Sequence, residues 1–225
     1  MIQGWRAALQ TPELPFVYVE ICHENGAEEP KEKDFCASSK RPLADPLPML
    51  TCSRCCDSAG EFGQRAAISL PKVGFATTTD IDKSALHPPD KQDIAPRLAL
   101  EIMRLAYGKP VVARGPELVS ASFAGSELTV TLSNSSLVVH KGVVVPPPAG
   151  GCDNQTMSSA VTQVGAGGRA AMVPFAIDGA KVVVRCKPGT EQEPVLINGD
   201  ASNCFLYSSQ SGLPAPPLAV TCGAQ

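Results

Sequence analysis

The stretch from Val73 to Gly108 constrains the fold more than any other part of the chain. Val73-Gly74-Phe75-Ala76-Thr77-Thr78-Thr79 reads as a strand. A loop from Asp80 to Pro89 follows, and then Ile94, Leu98, Ile102 and Leu105 recur at intervals of four, four and three, which predicts a helix with those residues on its apolar face. Pro96 falls in the first turn, where a missing N–H costs little. Tyr107-Gly108 supplies a glycine as C-terminal cap. Strand, loop and helix in this order are a unit of an α/β layer fold with a mostly parallel sheet.

The sequence before it repeats the theme. Met1, Ile2, Trp5, Ala8 and Leu9 share one helical face, with Trp5 expected as a core anchor, and Pro12 and Pro15 stop that helix before the apolar run Phe16-Val17-Tyr18-Val19. Residues 23–60 are polar and Pro-rich without periodicity, the texture of a loop insertion. A short helical stretch from Glu61 to about Leu70 then leads into Val73. Two strands cannot make a doubly wound sheet, so this half is expected either to pair with sequence not present here or to be poorly stable alone.

After Lys109-Pro110 the texture changes. Glu127 to Leu132, Leu137 to His140, Lys181 to Arg185 and Pro194 to Ile197 are short β-type runs punctuated by Gly, Pro and Ser, the signature of a small β-sandwich-like domain. The chain therefore divides into residues 1–108 and 109–225. Val143 to Gly168, with three consecutive prolines and several glycines, reads as a flexible excursion. Within it Gly165-Ala166-Gly167-Gly168 lacks the lysine and the strand-to-helix context of a phosphate loop and reads as linker. His140 reads as a surface residue of the β region.

Charge and cysteines bound the partners and the compartment. A net charge of -3, with basic and acidic residues scattered, gives no footprint for nucleic acid or an anionic membrane. No stretch is long and apolar enough to span a bilayer, and Met1 to Gln10 lacks the apolar core of a signal peptide. Nine cysteines and the sequons at Asn134 and Asn154 fit an oxidising, glycosylating secretory compartment. Cys52, Cys55 and Cys56, with His23 and Cys36 upstream, contain a C-x-x-C but no second half of a zinc site, so disulfides within the insertion are the expectation and no metal is assigned. Cys186, Cys204 and Cys222 can pair among themselves or with Cys152.

His87 is the candidate catalytic residue. It lies between the C-terminal end of a strand and the start of a helix, where α/β folds assemble reactive groups, and Pro88 and Pro89 restrict the chain direction beside it. Thr77-Thr78-Thr79-Asp80-Ile81, Leu86-His87-Pro88-Pro89-Asp90-Lys91-Gln92, Arg97-Leu98-Ala99-Leu100 and Ala106-Tyr107-Gly108 together resemble the histidine block of sialate O-acetylesterases, carbohydrate esterases of the SGNH class. Met1 to Arg6 with Leu14 to Val19 resembles that family's helix and strand after its oxyanion-hole block. Cys204 to Tyr207 with Gly212 to Pro217 resembles its closing β domain.

The resemblance implies the C-terminal part of a three-layer α/β/α esterase domain followed by the β domain. It implies removal of O-acetyl groups from sialic acid or another acetylated sugar, with His87 as general base and no metal or organic cofactor. The family's Gly-x-Ser nucleophile block and oxyanion-hole donors have no counterpart in these residues. The chain is therefore expected to be a fragment, inactive alone, whose possible partner is the remaining N-terminal half of the catalytic domain. Many SGNH esterases carry an aspartate two or three residues before the histidine, and those positions here are Ala85 and Ser84. Asp82 is slightly favoured over Asp80 as the third triad member, and Asp90 reads as a helix cap. The alternative reading is a non-catalytic carbohydrate-binding or interaction module derived from that family.

Overall fold

The computed structural model describes residues 1–20, 66–81, 91–133, 136–141, 152, 159–165, 170–190, 193–199 and 204–222. Most of the elements are strands, with two helices and several sheets. The first helix, α1, spans Ile2–Ala8, and strand β1 spans Phe16–Glu20. A 3-10 turn at Ala66–Ser69 precedes β2, Val73–Thr77, and helix α2 spans Ile94–Leu105. β1 and β2 pair in parallel with Phe16 opposite Val73 and Glu20 opposite Thr77, so the two strands expected from the apolar runs form side by side. Helix α2, which follows β2 in the chain, packs on β2 and β1 and covers one face of the parallel pair. Among the described residues no helix is long and apolar enough to cross a membrane.

Two apolar faces differ from expectation, for one physical reason. α1 buries Ile2 and Arg6, whereas Trp5 is 59% exposed and Leu9 56%. The Arg6 guanidinium donates to the carbonyls of Leu14 at 2.8 Å and Pro71 at 2.7 Å, satisfying chain reversals that would otherwise keep unpaired acceptors. The helix is thus turned toward its arginine rather than its tryptophan. Likewise α2 buries Ile94, Arg97 and Glu101, and leaves Ile102 exposed. Its inner face combines Ile94 and the half-buried Leu98 and Leu105 with the ion-paired Arg97 and Glu101, and of the predicted stripe only Ile102 turns outward. Gly108, at φ 62, ends the helix as expected, and Lys109 N–H returns to the Met103 carbonyl at 3.0 Å.

The β region begins with β3 (Leu118–Ala124), β4 (Glu127–Leu132) and β5 (Leu137–Lys141), then β6 (Val161–Val164) and β7 (Ala170–Met172). It continues with β8 (Phe175–Asp178), β9 (Lys181–Arg185), β10 (Pro194–Ile197), β11 (Cys204–Ser208) and β12 (Leu218–Thr221). One sheet has the order β3-β4-β9-β8, a second β12-β10-β6-β7, and β5 pairs with β11. Leu128, Val130, Val182 and Val184 from the first sheet and Val161, Val195, Ile197 and Val220 from the second meet in a common apolar core. The alternation of buried and outward residues along β4 and β9 is the period of two read from their sequences.

The interval 143–168 is not wholly an excursion, because Val161–Val164 is a buried strand paired on both sides. Four apolar or neutral residues flanked by Gly and Ser carry too little periodicity to be read as a strand. The cysteine pairing is Cys152 with Cys204 and Cys186 with Cys222, with Cα atoms 5.5 and 6.1 Å apart. His140 is exposed on β5, as expected. The insertion at 23–60 with His23, Cys36, Cys52, Cys55 and Cys56, the segment with Asp82, His87 and Asp90, and the sequons at Asn134 and Asn154 lie outside the described residues.

Candidate functional site

The parallel pair converges on a buried polar cluster at its C-terminal end, where Glu20, Thr78, Thr79 and Asp80 all lie in the interior. The Thr78 hydroxyl donates to the Glu20 carbonyl at 2.8 Å, tying the end of β2 to the end of β1. The hydroxyls of Thr77 and Thr79 bond to each other at 2.8 Å. Threonine suits this position twice over, because its β-branched body favours the strand and its hydroxyl can satisfy a ladder that is ending.

Asp80 is the hub, and it is fully buried. Arg97, one turn into α2, reaches it with both terminal nitrogens at 2.7 Å each and also donates to the Thr77 carbonyl at 2.8 Å. The Tyr207 hydroxyl, carried by β11, donates to the second oxygen of Asp80 at 2.7 Å. Three elements far apart in sequence therefore meet on one carboxylate. A planar guanidinium forked on a carboxylate is the strongest form of such a contact. Burial works against the charge of Arg97, but the hydrogen bonds and negative charge of Asp80 hold its pKa above the ordinary value. Burial and the Asp80 charge push the Tyr207 phenol well above the ordinary tyrosine range, so it stays a donor.

A second ion cluster flanks the first. Glu101, also fully buried, lies 2.6 Å from Arg104 and 2.7 Å from Arg114, and the Arg114 guanidinium sits 5.5 Å from the Phe75 ring centroid. The space for Glu101 comes from Gly74, where a Cβ would fall 2.5 Å from the carboxylate. Gly115 allows another close approach, since a side chain there would collide with the Pro214 backbone. Between these groups Thr77, Arg97, Gly115 and Pro214 border a recess of about 10 Å³, the room one water needs and far too small for a sugar.

What this arrangement does chemically is hold rather than react. Both oxygens of Asp80 accept hydrogen bonds, Oδ1 from Arg97 and Oδ2 from Arg97 and Tyr207. Of the two upstream acids considered as triad partners, Asp80 is a structural ion-pair partner. His87 and Asp82 belong to the segment that leaves from this point, outside the described residues. Arg97 and Tyr207 sit within motifs visible in the sequence. Their common target was not visible, because Asp80 and Tyr207 are separated by 127 positions. Glu101 and Arg114 gave no signal beyond being ordinary charged residues.

No family model matches the sequence, and no curated protein matches it. Among solved structures, the crystal structure of a carbohydrate acetylesterase from Xanthomonas citri superposes with a TM-score of 0.65 at 24% identity, covering 98% of this chain and 44% of that one. The chain shares that protein's fold. Because the match runs nearly end to end, the α/β pair and the β region are shared together rather than as one borrowed piece. The chain spans less than half the length of that esterase.

Proposed function

We propose that this chain is the histidine-bearing portion of a carbohydrate esterase that removes O-acetyl groups from sugars, sialic acid among them, in the manner of sialate O-acetylesterases. The observation that carries the reading is the fold shared with a carbohydrate acetylesterase over 98% of the chain, taken with the sequence block around His87. In this proposal residues 1–108 belong to a three-layer α/β/α catalytic domain and residues 109–225 form the β domain behind it. A serine from polypeptide beyond these residues attacks the acetyl carbonyl, and His87 takes the serine proton and returns it to the sugar oxygen as that bond breaks. Water, deprotonated by the same imidazole, then releases acetate and restores the serine. In this proposal Asp82 holds the imidazole tautomer, a reading supported by the ion pair that Asp80 already makes with Arg97. No metal or organic cofactor enters this chemistry.

Two buried disulfides support folding in an oxidising compartment of the secretory type. The rival reading, a sugar-binding module, finds less support in the β region. Its exposed large apolar residues are Val112, Leu118, Val119 and Met172 among those described, none of them an aromatic platform for a sugar ring.

The test is release of p-nitrophenol from p-nitrophenyl acetate by the purified chain, beside His87→Ala. Background rates for both are expected, since the Gly-x-Ser block is not among these residues. Turnover by the chain that disappears in His87→Ala would instead show that a nucleophile lies within these residues, and would overturn the reading of the chain as a part that needs an outside serine.

A further inference from the structure

The parallel pair is unfinished on one side, and its register says which groups are left over. Phe16 N–H donates to the Lys72 carbonyl at 2.9 Å, and Phe16, Tyr18 and Glu20 stand opposite Val73, Phe75 and Thr77. Along a strand, successive residues turn their N–H and C=O to opposite sides. Phe16, Tyr18 and Glu20 therefore bond toward β2, and Val17 and Val19 direct their backbone groups to the other edge. Among the described residues nothing meets those four groups.

That edge carries none of the devices that blunt a solvent-facing strand. Phe16-Val17-Tyr18-Val19 holds no charge, proline or bulge, and all four side chains are half-buried, as in a strand still waiting for its neighbour. Helix α1, which leads into β1, shows the same incompleteness in its exposed Trp5 and Leu9. Two parallel strands do not make a stable sheet by themselves. The related esterase chain has more than half its length beyond the part matched here, ample for further strands of the same layer.

We infer that the Val17–Val19 edge of β1 docks a parallel strand of an α/β polypeptide equivalent to the unmatched remainder of the Xanthomonas citri esterase chain. The inference rests on the proposed carbohydrate-esterase reading, and it names the surface through which the second part joins. A second copy of this chain fits less well. Across a two-fold axis two β1 strands would meet antiparallel, against the parallel order that β1 and β2 already set.

The test is co-production of this chain with that unmatched remainder, read by light scattering on the eluted species and by amide exchange. The expected result is a one-to-one complex in which the Val17 and Val19 amides slow by about tenfold or more while Tyr18 changes little. Val17→Pro removes one outward N–H and leaves the bonds to β2 intact. It should abolish the complex while the isolated variant keeps its disulfides and its far-ultraviolet spectrum. Failure to form a complex overturns the inference, as does a complex that leaves Val17 and Val19 exchanging at their free rates. A self-dimer of this chain that Val17→Pro dissociates also overturns it, by assigning the edge to a second copy. The wild-type exchange data decide even if Val17→Pro does not fold. An intact complex without ester hydrolysis would refute the functional reading and leave the docking edge standing.

Discussion

The β region and the α/β region of this chain differ in how much charge they bury beside their apolar residues. Between β3 and β12 the interior is Val, Leu and Ile from facing sheets, closed by two disulfides. Around β2 and α2 the interior holds Asp80 with Arg97 and Glu101 with Arg104 and Arg114, while Trp5, Leu9 and Ile102 lie outside. An apolar core closed on itself is sufficient for stability. Buried ion pairs fix geometry at a cost in desolvation and are weak sources of stability. The two regions are pinned to each other by Tyr207 on Asp80.

Removing the hub should separate the two regions most sharply. Asp80→Ala leaves Arg97 buried without its counter-charge and Tyr207 without its acceptor, which is expected to cost about 4 kcal/mol. Chemical denaturation followed at Trp5 should show the α/β region melting first, with the β region persisting to higher denaturant. A single transition, shifted but unsplit, would mean that the regions fold as one unit. The double variant Asp80→Leu with Arg97→Met should recover part of the loss, because it removes both charges rather than one.

The reverse experiment attacks the β region. Replacing Cys186 and Cys222 by alanine frees a closure of 36 positions and is expected to cost about 3 kcal/mol, with the loss confined to the β transition. A smaller effect of the same kind is expected at Asn198. Its side-chain amide donates to the carbonyls of Leu206 at 3.0 Å and Ala215 at 2.6 Å and accepts from Leu206 N–H at 2.6 Å. Asn198→Ala should therefore cost about 2 kcal/mol, read from the midpoint of the same transition.

Asn198 also shows where sequence reading stops. The strands that precede it were legible, since Lys181 to Arg185 and Pro194 to Ile197 form β9 and β10 at the expected positions. Those runs carry their own periodicity and their own turn residues. Asn198 clamps two carbonyls and an amide of residues 8 and 17 positions away, contacts that no local pattern announces. Trp5 failed in the opposite sense. A large apolar residue on a helix predicts burial only if the layer it packs on is present, and here Arg6 found partners and Trp5 did not. The motif block around His87 was read from sequence alone, whereas the buried contact beside it, Tyr207 on Asp80, joins two regions that were read as separate.

That contact gives the smallest effect and the one most specific to the junction. Tyr207→Phe removes a single hydrogen bond to a charged group and should cost about 1.5 kcal/mol at neutral pH. Its signature is pH dependence. Burial first, and the Asp80 charge second, raise the folded-state pKa of Tyr207 above the unfolded value of about 10. Below pH 10 both states hold the proton and this group adds no slope. Above it the unfolded chain ionises while the folded one does not, so stability falls with rising pH, by up to about 1.4 kcal/mol per unit from this one group. Tyr207→Phe should start less stable at pH 8 and lose less between pH 10 and 11.5, so that the two denaturation curves converge on the alkaline side. If they instead stay parallel, the phenol of Tyr207 ionises as easily folded as unfolded, and the junction is open to water rather than buried.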